Sequence, residues 1–143
     1  MRLNHVLSIR LPYSYVVLRY VHDIVTGEFA NLGVVVLAPD AQFLRGRFNS
    51  DFRRLRAMFG EMDEAHLLSM LEHLDRAFAE FLPTRLHASQ NISQLVQQML
   101  PADDSSLQWS SPGGGMTRDV SDTLDHLFQR FVEQHSEPAA ALL

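Results

Sequence analysis

Two runs rich in valine, tyrosine and phenylalanine, at residues 14–22 and 29–37, are separated by a short stretch containing Gly27. β-branched and aromatic residues fit a pleated, half-buried surface, and glycine admits the positive φ of a tight reversal. The pair therefore predicts an antiparallel hairpin through the centre of the fold. In the second run, Asn31 and Gly33 break the pattern. Asparagine competes for backbone hydrogen bonds and glycine leaves nothing to pack, so such a pair inside a strand marks a bulge or a function.

Pro39-Asp40-Ala41 supplies the next turn, because proline presets φ and aspartate bonds its own backbone. Residues 42–48 then form a third strand. The expected fold class is α+β: a three-stranded antiparallel meander, with a short fourth strand near Leu107–Trp109, and helices packed on one face. Alternation along the strands divides the meander into two faces. If both turns preserve parity, Val16, Leu18, Tyr20, Ala30, Leu32, Val34, Val36, Leu44, Gly46 and Phe48 share an apolar face. The other face is mixed. It carries Tyr13, Tyr15, Val17, Arg19, Val21, Phe29, Asn31, Gly33, Val35, Leu37, Phe43, Arg45 and Arg47.

Helical spacing follows the sheet. Asn49 or Ser50 is placed to cap a short helix through Phe52, Leu55 and Phe59, with Gly60 as its stop. Asp63 opens a longer helix that Pro83 ends, with Leu67, Leu71, Leu74, Phe78 and Phe81 as its apolar stripe and Glu72–Arg76 as an outer pair. A weaker helix over 91–100 ends at Pro101 and leads into an acidic loop at 103–106. Gly113-Gly114-Gly115 reads as an irregular connector, and Asp119 or Ser121 caps a last helix through Val120, Leu124, Leu127, Phe128 and Phe131. The organisation expected is a lead-in at 1–12, one domain at 13–135 and a frayed tail at 136–143.

Totals remove several classes of function. The 143 residues suit one core, with 46% hydrophobic and 20% charged residues. No cysteine is present, which removes disulfides, thiolate metal sites and cysteine nucleophiles. All 12 basic residues are arginine, so lysine-dependent phosphate loops and Schiff bases are removed as well. No apolar run reaches the length of a bilayer crossing, and residues 1–10 lack the apolar run and cleavage site of a secretory signal. A cytoplasmic protein without membrane association is the expectation.

No catalytic constellation stands out. There is no G-x-S-x-G elbow, and His66 and His73 lie about 10 Å apart by helical rise, too far to share an ion. Asp122 and His126 are neighbours at i,i+4, and Asp23 and Glu28 flank the first turn as the acidic pair of an alternative reading, a small metal-dependent hydrolase. No metal or other cofactor is expected. Arginine is the sharper signal: Arg45, Arg47, Arg53, Arg54 and Arg56 concentrate in one strand-to-helix segment. Guanidinium forks suit phosphates and carboxylates, so with Phe43, Tyr13 and Tyr15 this segment is a candidate nucleic-acid or nucleotide site. The bland alternative is a solvated helix face paired with Glu61, Asp63 and Glu64. A net charge of -5 argues against general nucleic-acid binding.

Residues 13–23, 27–36, Arg47-Phe48 and Arg53-Arg54-Leu55-Arg56, continuing weakly into Leu124-Asp125-His126-Leu127-Phe128, resemble the uncharacterised bacterial family called domain of unknown function 3037. The positions that carry the resemblance are Arg19, Glu28, Asn31 and Gly33. What it implies is an accessory or regulatory protein, with a HipA-like kinase as the implied neighbour. The leading expectation is thus a non-enzymatic interaction domain that binds another protein, or a second copy of itself, through the mixed sheet face. Its candidate binding residues are Arg19, Glu28, Asn31, Gly33, Phe43, Arg45, Arg47, Arg53 and Arg54.

Overall fold

The computed structural model describes residues 9–81, 86, 90–100 and 106–133. Its centre is β1 (Leu11–Asp23), which pairs antiparallel with β2 (Glu28–Ala38) across the expected hairpin. The reversal is fixed by Asp23, whose Oδ1 accepts from Val25 N at 2.9 Å, and by Gly27 at φ +77°. A 3-10 turn at Pro39–Ala41 leads into β3 (Phe43–Phe48), which pairs with β2 and completes the meander. β3 is the outer strand on that side.

On the other side of β1 lie two short strands, β4 (Leu107–Trp109) and β5 (Gly113–Thr117). β4 is the short fourth strand expected. The glycine run, expected to be irregular, is instead strand β5, and the reason is steric. Tyr13 and Tyr15 lie across it, and a Cβ at Gly113 would come within 2.5 Å of the Tyr15 ring. Between the two strands Ser110 closes the break, accepting from Val17 N through Oγ and donating its own N–H to Val17 O, both at 2.8 Å.

Among the described residues, four helices flank the sheet: α1 (Arg53–Phe59), α2 (Glu64–Glu80), α3 (Ile92–Gln97) and α4 (Val120–Phe131). Asp63, Asn91 and Asp119 cap the last three by accepting from backbone N–H groups. In α1 the N–H of Arg53 is instead taken by Oδ1 of Asp51, one residue before the capping position, at 3.2 Å. Asn49 bonds Asp51 N, and Phe52 is the capping position. Gly60 ends α1 at φ +77° as its sequence position suggests. The expected stops at Pro83 and Pro101, the acidic loop at 103–105 and the tail at 136–143 lie outside the described residues, as does the lead-in up to residue 8. β1 already begins at Leu11, two residues inside the expected lead-in.

The α+β class holds, but the helices occupy both faces of the sheet. α1, α2 and α3 cover Val16, Leu18, Ala30, Leu32, Val35, Leu37 and Leu44 with Phe52, Leu55, Leu71, Leu74 and Val96. α4 covers Val17, Val34, Val36 and Ala38 with Val120, Leu124, Phe128 and Val132. A sheet whose central strands are apolar on both sides needs cover on both. The single-face expectation failed because α4 is the only element available for the second face among the described residues.

The register of the hairpin shifts twice, between Leu18 and Arg19 and between Val21 and Asp23, and the first shift moves residues to new faces. Leu18 pairs with Gly33 but Arg19 pairs with Asn31, leaving Leu32 as an extra residue on β2. Beyond this bulge Val34 and Val36 join the α4 face, while Gly33, Val35 and Leu37 join the three-helix face. These five residues lie on the faces opposite to those expected from simple alternation, because the bulge interrupts β2.

Candidate functional site

Arg19, Asn31, Arg45 and Arg47 do share one face, but α4 covers much of it. Asn31 Nδ2 donates to Phe131 O at 3.1 Å, fastening the end of α4 to the hairpin. Arg47 donates to Asp125 at 2.9 Å, and its guanidinium carbon lies 4.4 Å from the centre of the Phe128 ring. Arg19 lies over Phe29 at the same distance. Its Nε and the Oδ1 of Asn31 are buried without hydrogen-bond partners among the described residues. Asn31 and Arg47 hold α4 in place over the buried valines of this face, while Phe29, Arg45 and Arg47 remain exposed at its margins.

Gly33 serves the opposite face. A Cβ there would strike the Phe48 ring and lie 2.8 Å from Arg47 O, so glycine is required for β3 to pack against β2. The gap is filled by an aromatic ring from the neighbouring strand. Glu28 stands at the hairpin, where Thr26 Oγ1 approaches its Oε1 at 3.5 Å. Asp23 is engaged by the turn backbone, and among the described residues no three His, Asp or Glu side chains form a metal-binding group.

The arginine segment divides. Arg45 and Arg47 project on the α4 side of β3, whereas α1 packs through Phe52 and Leu55 on the other face. Arg53 forks onto Asp51, with its shortest contact at 2.6 Å, and this pair lowers the Asp51 carboxyl to a pKa of about 2. Arg56 forks onto Glu64 at 2.7 and 2.8 Å and lowers that carboxyl too. Arg47, Arg53 and Arg56 are therefore matched to carboxylates of the same chain. Arg45 is different, since its described contact is with the Phe43 ring at 5.2 Å.

Phe43 and Arg45 stand at a groove of about 470 Å³ between β3 and the second half of α2. One wall is Gln42, at the end of the 3-10 turn, followed by Phe43, Leu44, Arg45 and Gly46 of β3; the other is Asp75, Phe78, Ala79 and Phe81. Phe78 stacks beneath β3 against Phe48, with ring centroids 6.2 Å apart. The Asp75 carboxyl is raised above its usual range, first by partial burial and then by the charge of Glu72. The outer edge of β3 pairs with no strand among the described residues. A groove with a strand edge on one side and a helix on the other can take an extended chain, whose backbone continues the sheet while alternate side chains reach the helix.

Sequence reasoning found Phe43 and Arg45 but assigned Phe78 and Phe81 wholly to a core stripe, and missed Asp75. The available signal was Asp75 one position from the stripe, facing a strand with no successor in the meander.

A family model described as protein of unknown function (DUF3037) matches residues 15–132. Comparisons with curated proteins and with solved structures return no match. No helix among the described residues is long and apolar enough to cross a membrane. The match spans the hairpin, the three-helix face, both glycine-dependent strands and α4, and the chain belongs to the DUF3037 family.

Proposed function

We propose that this chain is a protein-interaction domain that takes an extended segment of another protein along the outer edge of β3. The observation that carries the reading is the groove between the unpaired edge of β3 and α2. Backbone pairing supplies affinity in strand addition, and the neighbouring pockets supply selectivity. A second copy fits this edge poorly. Two β3 strands paired about a twofold axis would bring Arg45 of both copies onto one face, and neighbouring like charges are destabilising. In this reading docking moves from the centre of the mixed face, where α4 lies, to its margin at Phe43 and Arg45. An accessory or regulatory role suits such a module, and the HipA-like kinase implied by the family resemblance is the first partner to try.

Nucleic-acid binding has less support, because three of the five clustered arginines are already paired with carboxylates. A photo-crosslinking residue at Gln42, with Asp122 on α4 as control, tests the docking surface. A partner crosslinked at Gln42, with slowed amide exchange across β3 in the purified complex, is the expected result. Crosslinks confined to Asp122, or unchanged β3 exchange, would overturn it.

A further inference from the structure

A strand laid against β3 alternates its side chains between two unlike environments. On one side its neighbours are Phe43 and Arg45; on the other they are Leu44 and Gly46, facing Asp75, Phe78 and Phe81 of the α2 wall. On the first side, Arg47 is held by Asp125 and Phe128, which leaves Arg45 as the cation at the groove. On the second side Gly46 adds no side chain, and Asp75 has no ion pair within 4.0 Å among the described residues.

Resting on the strand-addition reading, we propose that the groove selects extended segments in which acidic residues alternate with lysine or arginine. The acidic side chains meet Arg45. The basic ones lay their aliphatic stems over Phe78 and Phe81 and bring the cation to Asp75. The raised Asp75 carboxyl fits this assignment, because a partly buried acid crowded by Glu72 gains most from an arriving positive charge. Cross-strand pairs of opposite charge are favourable and like pairs are not, so the same geometry rejects a segment whose charges are out of phase.

Selection of seven-residue peptides from a random display library tests this, using the full chain, Arg45→Glu and Asp75→Lys, each verified as folded by its thermal transition. The full chain should enrich alternating acidic and basic residues. Arg45→Glu should replace the acidic preference with a basic one and leave the other positions unchanged; Asp75→Lys should do the converse. Each reversal should weaken the peptide selected by the full chain about tenfold. Enrichment of peptides whose charge pattern ignores both substitutions, with β3 amides still protected, would overturn the charge selection and leave strand addition standing. No enrichment by any of the three would overturn both.

Discussion

On one face of the sheet three helices bury a continuous apolar layer in which Leu18, Leu32, Leu71, Leu74 and Val96 are almost wholly excluded from solvent. On the other, α4 is the one helix among the described residues that covers a narrower strip of valines, and it is held at its sides by polar contacts, Arg47 to Asp125 and Asn31 to Phe131 O. The first arrangement draws on area, since burial of apolar surface is non-directional and additive. The second adds direction. A lone helix on a flat strip could slide or rotate, and the contacts along β3 and at the hairpin fix its position.

The strongest way to sharpen this contrast is to make the same deletion on both faces. Leu74→Ala should cost about 3–5 kcal/mol, because the surrounding helices cannot collapse into the space, and Leu124→Ala about 2–3 kcal/mol, because α4 can settle toward the sheet. Urea unfolding of both variants measures the difference. Equal losses would break the distinction between a rigid and an adjustable layer. Arg47→Ala should cost less, about 1 kcal/mol, since it removes an exposed ion pair and a cation–π contact. Amide exchange in α4 should nevertheless rise more than in α2, and a uniform increase would contradict the role assigned to Arg47.

Acid sensitivity gives the smallest effect. Asp51 has its folded pKa lowered to about 2 from 3.8, so its contribution is present above 3.8 and is lost as pH falls through about 2. Asp51→Asn should remove that slice of the pH dependence and leave α4 untouched. Comparing urea midpoints between pH 5 and pH 2 for the two proteins would show it.

Much of the fold was legible in local sequence because it depends on local chemistry. The hairpin at Gly27, the turn at Pro39 and the caps Asp63 and Asp119 each act within a few residues of where they stand. The glycine strand was not legible. Its order comes from pairing with the distant start of β1, where Tyr13 and Tyr15 approach the glycines closely enough to crowd an added Cβ. The same limit governs the groove. Phe43 and Arg45 could be singled out by type, but Asp75 matters only because α2 runs beside an edge strand, which no spacing within α2 discloses. Parity identified the shared face of Arg19, Asn31, Arg45 and Arg47, yet it had no means of seeing what lies upon that face.

The extra residue at Leu32 puts the two ends of β2 out of phase, and this gives the hairpin something like a reading frame. With it, Asn31 faces the last turn of α4 while Val34 and Val36 face its middle. Were the count changed by one between Asn31 and Val34, either the amide would turn away from α4 or the valines would. Composition would be almost unaltered, yet the helix would keep only half of its seat. Length along this short stretch is thus as much a determinant of where α4 docks as the identity of any residue in it.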